Sequence, residues 1–220
     1  MCSGCTGNNM KYYLIGFTLL LTQAAHAQLA TNISWRGNSR SGGDTVFYNP
    51  DSKLAWNDFK GRPDNRSIAA AITCSGFGYS CSMRSRNNKG GLNISVYCFY
   101  DKNKSWVKTG AANDYALTHE QHHFDITYIA TCLFVRKLKA ANFTADNYSD
   151  LLDQIYNESY DELERMQNEY DGKTMNGRLK NVQEEWNNKI DQELESTVIN
   201  LQSAPVSSVR AAQYSLSPRK

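Results

Sequence analysis

The hydrophobic period of the chain changes once, at Gly110, and that change restricts the fold more than any other feature. Upstream, β-branched and aromatic runs such as "TVFYN" (45–49) and "ISVYCFY" (94–100) read as strands. They are separated by the turn clusters "NPDSK", "KGRPDN", "RNNKGG" and "DKNK". A further strand pair is expected in "SIAAAITCSGFGYSCSM" (67–83), where Ile68, Ile72 and Thr73 outweigh the three alanines. Downstream the apolar residues recur at helical spacing. Asn113 or Asp114 caps a first helix carrying Leu117, Phe124, Tyr128, Ile129, Cys132, Leu133 and Val135. Ser149 opens a second helix with Leu152, Ile155, Tyr156, Leu163 and Met166, broken by "YDGKTMNG" (170–177). A third carries Leu179, Val182, Trp186, Ile190 and Leu194. A strand-rich N-terminal half followed by three helices predicts an α+β domain.

The first 27 residues are set apart as a signal peptide. Lys11 precedes a short apolar run (12–21), and an A-x-A end at 25–27 closes it. The run is too short for an ordinary bilayer span. This predicts an exported protein, periplasmic or secreted, with no stable membrane span after cleavage. Residues 28–43, rich in Ser, Asn and Gly, read as a flexible leader; 44–202 form the domain, and 203–220 a disordered tail. The net charge is only +2, from 24 basic and 22 acidic residues, so nothing points to nucleic acid. Export permits disulfides among Cys74, Cys81, Cys98 and Cys132. Cys74 with Cys81 is plausible within one hairpin, and Cys98 and Cys132 can be plain core residues.

The chemistry concentrates in "LTHEQHHFD" (117–125), which holds every histidine downstream of residue 27. His119-Glu120-Gln121-His122-His123 fits H-E-x-x-H. Residues four apart lie about 40° apart around a helix, so His119 and His123 can face one ion. Glu120 lies beside them as the catalytic base. Zinc (Zn2+) would acidify a bound water, and Glu120 would take its proton and pass it to a leaving amine. His122 sits about 100° away from His123 around the axis, which makes it a partly exposed bystander. Catalytic zinc sites use three protein ligands. No histidine remains for the third place, so a carboxylate is expected there, ahead of an amide or a phenol from the downstream helices: Glu158, Glu162, Glu169 or Asp171. Asp171 is preferred because it lies at the helix break. Tyr170 beside it could donate to an oxyanion, but a core aromatic is the simpler reading.

Four blocks, "LAWNDFKGRP" (54–63), "SWV" (105–107), "LTHEQHHFDIT" (117–127) and "YDGKTMNG…QEEWNNKI" (170–190), together resemble domain-of-unknown-function family 922 over about residues 45–200. The resemblance implies a bacterial, exported, zinc-dependent protease with a zincin-like helix, His119 and His123 as metal ligands and Glu120 as base. One departure accompanies it: Asn176 stands where the family pattern Y-D-x-x-T-x-H-G has histidine. Asp171 or another carboxylate completes the site, Asn176 does so weakly, or the site is degenerate. Trp56, Phe59, Trp106 and Trp186 read as core anchors, Asp58 and Lys60 as turn residues, and Thr174 as a cap for the third helix. The expected function is therefore a zinc-dependent peptidase acting on peptide or protein substrates. The alternatives are a non-catalytic exported binding module with a degenerate or structural metal site, and a hydrolase of non-peptide amides.

Overall fold

Strands precede helices along the chain: β1 (Ala30–Trp35), β2 (Thr45–Phe47), a 3-10 turn (Trp56–Asp58), β3 (Ala71–Ile72), β4 (Ser75–Arg86), β5 (Lys89–Asp101), β6 (Trp106–Val107), α1 (Asp114–Ala140), α2 (Tyr148–Thr174) and α3 (Lys180–Ser203). The chain is thus α+β, as the change of period predicts. This computed structural model describes residues 28–36, 43–86 and 89–203. The expected signal peptide and the tail beyond Ser203 lie outside the described residues. No described helix is long and apolar enough to cross a membrane.

β5 organises the main sheet. Its Leu92, Ile94, Val96, Cys98 and Tyr100 are each 3% exposed or less, while the residues between them are more exposed. That alternation follows from side chains pointing to opposite faces in turn. β4 runs antiparallel along β5 from Lys89 to Tyr100. The other edge of β5 is shared: β1 lies parallel beside residues 91–96, and β2 antiparallel beside residues 99–101. β1 corrects the expected flexible leader. Residues 30–35 look polar because five of the six are exposed, yet their backbone completes the sheet edge, and neighbouring Leu29 is buried.

α1 is the central helix, packed against the sheet on one side and against α2 and α3 on the other. Ile126, Ile129, Ala130, Phe134, Val135 and Leu138 are each 1% exposed or less. Burying one such large apolar side chain is worth roughly 1.5–3 kcal/mol. Asn113 caps α1 by accepting from the Ala116 N–H at 2.9 Å. Burial nearly all round explains why α1 also encloses polar side chains, Gln121, Asp125, Thr127 and Thr131 among them.

The block 54–63 wraps onto α1. The Leu54 N–H donates to Gln121 Oε1 (2.7 Å), and Gln121 Nε2 donates to Asp125 Oδ1 (2.8 Å). Asp125 is fully buried and also accepts from Tyr48 Oη (2.7 Å) and Lys53 Nζ (3.3 Å). At Gly61 a Cβ would sit 2.7 Å from the Asn103 carbonyl oxygen, so only glycine permits this close crossing.

The expected pair in 67–83 corresponds to β3 and β4, but the two do not pair with each other: β3 joins β6 and β4 joins β5. A Cys74–Cys81 disulfide is excluded. The two flank opposite ends of one extended stretch, seven residues or about 23 Å apart, whereas a disulfide needs Cα atoms within about 7 Å. All four described cysteines are free, and Cys98 and Cys132 are buried core residues.

Candidate metal centre

Local folding brings the sequence-predicted residues together. His119 and His123 lie one turn apart near the start of α1, which runs unbroken through them. Asp171 comes from the last turn of α2. The helix does not break at residue 170 as expected; Gly172 is accommodated within it, and the chain turns only at Met175, which adopts the left-handed conformation. Asp171 is therefore aimed by a regular helix packed on α1 rather than by a loop. Thr174 ends α2 instead of capping α3: its hydroxyl donates to the Tyr170 carbonyl and accepts from the Gly177 N–H.

Three atoms converge. His119 Nε2, His123 Nε2 and Asp171 Oδ1 lie at 3.2 Å from one another along all three edges. A tetrahedral ion bound at about 2.0 Å needs ligand atoms about 3.3 Å apart, so the triangle is one face of such a site. The proton arrangement reinforces this. Gln167 Nε2 donates to the His123 carbonyl (2.8 Å) and to Thr127 Oγ1 (3.1 Å), which turns its Oε1 toward His123 Nδ1. Gln183 Nε2 donates to Tyr170 Oη (2.5 Å) and Asn187 Oδ1 (2.6 Å), which turns its Oε1 toward His119 Nδ1 at 2.8 Å. With both amides oriented this way, each Nδ1 faces an acceptor and carries the ring proton, which leaves both Nε2 atoms bare in the neutral rings. Two nitrogen lone pairs and a carboxylate oxygen then face one another, and only a positive charge between them relieves that. Asp171 Oδ1 is buried without a satisfying hydrogen bond. These residues form a group that could hold a metal ion.

The electrostatics agree. Burial raises the Asp171 carboxyl, but whenever the His119 and His123 rings are protonated they outweigh it and hold it well below the usual carboxylate range, so the carboxylate is stabilised by positive charge at this triangle. Burial lowers the His123 imidazole, and Asp171 and Glu120 more than offset it, so the net direction is upward. The site attracts positive charge.

Glu120 is 5% exposed, and its Oε2 is buried with no hydrogen-bond partner among the described residues. Its backbone carbonyl accepts from Thr73 Oγ1 (3.1 Å), tying α1 to the chain beside β3. All four residues line one cleft of about 660 Å³, together with residues 69–73, Tyr160, Glu164 and Asn176.

The other candidates lie elsewhere. Glu158 pairs with Lys137 at 2.9 Å, and Glu162 and Glu169 both pair with Arg165 on the exposed face of α2. Tyr170 is fully buried and stacks on His119, with ring centroids 4.8 Å apart; it is a core aromatic. His122 stays outside the triad, as its angle on the helix requires, but it is not partly exposed. It is 4% exposed, lowered in pKa chiefly by burial, and its Nε2 sits 3.3 Å from Asp191 Oδ1 on α3. With Asp125 and Asp191 it makes a second His/Asp grouping. Gln167 and Gln183 were not foreseen. Gln183 opens the "QEEWNNKI" block, but nothing in its spacing marks it as a histidine partner.

Compared with protein-family models, curated proteins and solved structures, the chain matches none.

Proposed function

We propose that the protein is an exported zinc-dependent peptidase. The observation that carries this reading is the equilateral triangle of His119 Nε2, His123 Nε2 and Asp171 Oδ1, with the unpartnered Glu120 carboxylate beside it in an open cleft. Two imidazoles and one carboxylate are a donor set that suits zinc. The grouping has three ligands among the described residues rather than the four that close a structural site. A zinc ion held there would acidify a water and polarise a substrate carbonyl.

The chain's own groups account for the rest. Gln167 and Gln183 hold the two imidazoles with Nε2 bare and oriented. Glu120 Oε2, buried without a hydrogen-bond partner among the described residues, would accept a proton from the attacking water and deliver it to the amine nitrogen as the C–N bond breaks; the water oxygen becomes part of the new carboxylate.

β3 supports a peptide as substrate. The Lys108 N–H donates to the Ala70 carbonyl (2.8 Å), and Ala71 and Ile72 stand opposite Val107 and Trp106. In an antiparallel ladder, Ala70 and Ile72 then bond toward β6 while Ala71 and Thr73 turn their backbone groups the other way. Residues 69–73 line the cleft, and β3 pairs only with β6 among the described strands. An extended peptide can add to that edge by main-chain hydrogen bonds.

The test measures zinc content and cleavage of labelled casein for the wild type and Glu120→Ala. One zinc per chain in both, with hydrolysis only in the wild type, is the expected result. Full hydrolysis by Glu120→Ala, or a wild type that binds zinc and cleaves nothing, would sink the proposal.

A further inference from the structure

We infer that Asn176 is a second electrophile of this site, its side-chain amide donating to the oxygen of the carbonyl under attack; the inference rests on the peptidase reading above. It starts from the backbone. α2 ends in three successive residues with positive φ: Met175 (51°), Asn176 (54°) and Gly177 (75°). A helix that stops in the left-handed conformation does so at a single residue, most often a glycine. Here two non-glycine residues adopt that conformation in succession, so Asn176 is in a strained state that ending the helix does not require. Such strain persists where the surroundings over-determine it, and it collects at functional sites.

The surroundings are specific. The Asn176 N–H donates to the Asp171 carbonyl (2.9 Å), the Leu179 N–H to the Thr174 carbonyl (3.0 Å), and Tyr115 Oη to the Gly177 carbonyl (2.5 Å). The segment is thereby fastened to both metal-binding helices. Gly177 lies against the ligand itself: a Cβ there would be 3.4 Å from His119 Nδ1. Asn176 thus lies five residues after Asp171, just past the end of α2, and adjoins a residue packed on His119. It lines the cleft with both ligands and with Glu120. Its side chain is solvent-exposed at the cleft and has no hydrogen-bond partner among the described residues, so it is free to turn to a bound substrate, whereas the Tyr115 hydroxyl and the Gln167 amide in the same wall are committed.

The chemistry of the cleft gives the amide its task. Negative charge develops on the carbonyl oxygen during attack, and a donor pre-aimed at it stabilises that charge more than it stabilises the neutral substrate. The charged residues lining the cleft, Glu120, Glu164 and Asp171, are all acidic besides the histidines. No Lys or Arg lines the cleft among the described residues, so a donor there is neutral, and a carboxamide N–H meets that condition.

The experiment uses Asn176→Gly, which relieves the positive-φ strain while removing the amide, with Asn168→Ala, another unpartnered cleft amide, as the control. Measured for each are zinc stoichiometry, thermal midpoint, kcat and KM on a quenched fluorescent peptide selected by cleavage from a random library, and the Ki of the matching phosphinic pseudopeptide, whose tetrahedral oxyanion mimics the charged state. Asn176→Gly is expected to bind one zinc, to unfold at or above the wild-type temperature and to keep KM within threefold. Its kcat should fall about 100-fold, with Ki rising in parallel, and Asn168→Ala should match the wild type. A kcat within threefold of wild type in Asn176→Gly overturns the inference. So does a loss that tracks lost zinc, or a loss in Asn168→Ala instead. A zinc-loaded wild type without peptidase activity overturns the peptidase reading and this inference together; an active wild type beside an unaffected Asn176→Gly overturns the inference alone.

Discussion

Replacing Gln183 with leucine separates the arrangement of the metal ligands from their identity. Gln183 is 1% exposed and makes three side-chain contacts: Oε1 with His119 Nδ1 at 2.8 Å, and Nε2 with Tyr170 Oη at 2.5 Å and Asn187 Oδ1 at 2.6 Å. Without the acceptor, the His119 proton has no reason to stay on Nδ1. It moves to Nε2, where it can donate to Asp171 Oδ1, 3.2 Å away. Metal binding must then displace that proton and break that hydrogen bond. Losing such a supporting partner typically weakens metal affinity 10- to 100-fold, or about 1.4–2.7 kcal/mol. The metal-free fold loses less specifically: Tyr170 and Asn187 each lose one buried donor, at roughly 1–3 kcal/mol for a buried group left unsatisfied. Competition against a chromophoric zinc chelator at pH 7 gives the first quantity, and urea unfolding of the metal-free protein gives the second. Nitrogen-15 chemical shifts of the His119 ring report the tautomer. If Gln183→Leu folds normally and binds zinc within threefold of wild type, the tautomer argument is wrong.

Three further outcomes follow from the packing and the titrating groups. Asp125→Ala removes the acceptor for Tyr48, Gln121 and Lys53 from a fully buried position; it should cost roughly 3–5 kcal/mol in urea unfolding, and a loss below 1 kcal/mol would mean that the network is not needed. Stability should fall as pH rises from about 10, the ordinary tyrosine value, through about 12, because Tyr79 is pushed up to about 12 by burial and by its bond to Asp153. Tyr48 is raised further, by burial and Asp125. The folded chain then holds protons that the unfolded chain releases, and unchanged urea midpoints between pH 8 and 11 would contradict it. A thiol reagent at pH 8 should label exposed Cys81 in the native protein but reach Cys98 and Cys132 only on unfolding, since both of those thiols are buried out of its reach; mass spectrometry of the labelled peptides decides it.

Some of this was legible in the sequence and some was not, for identifiable reasons. The α+β order was legible because a side-chain period of two and one of 3.6 are imposed locally, by strand and helix geometry. His119, Glu120 and His123 were legible as a group because four residues make one helical turn. Asp171 could be named only by elimination, since it meets the histidines through the packing of α2 on α1. The supposed reason for preferring it, a helix break at residue 170, did not hold. Gln167 and Gln183 were hidden for the same reason: glutamines are ordinary on helix surfaces, and only tertiary packing makes these two partners of imidazoles. β1 was hidden because an edge strand joins a sheet through its backbone, so its side chains can stay polar and exposed.

Everything proposed for this cleft depends on His119, His123 and Asp171 holding one metal ion. The most direct measurement is anomalous diffraction at the zinc edge from crystals of the zinc-loaded protein. The expected result is one peak per chain, bonded to His119 Nε2, His123 Nε2 and an Asp171 oxygen at about 2.0–2.2 Å, with the remaining position open to the cleft. No peak there, or a single peak between His122 and Asp191 instead, would contradict it.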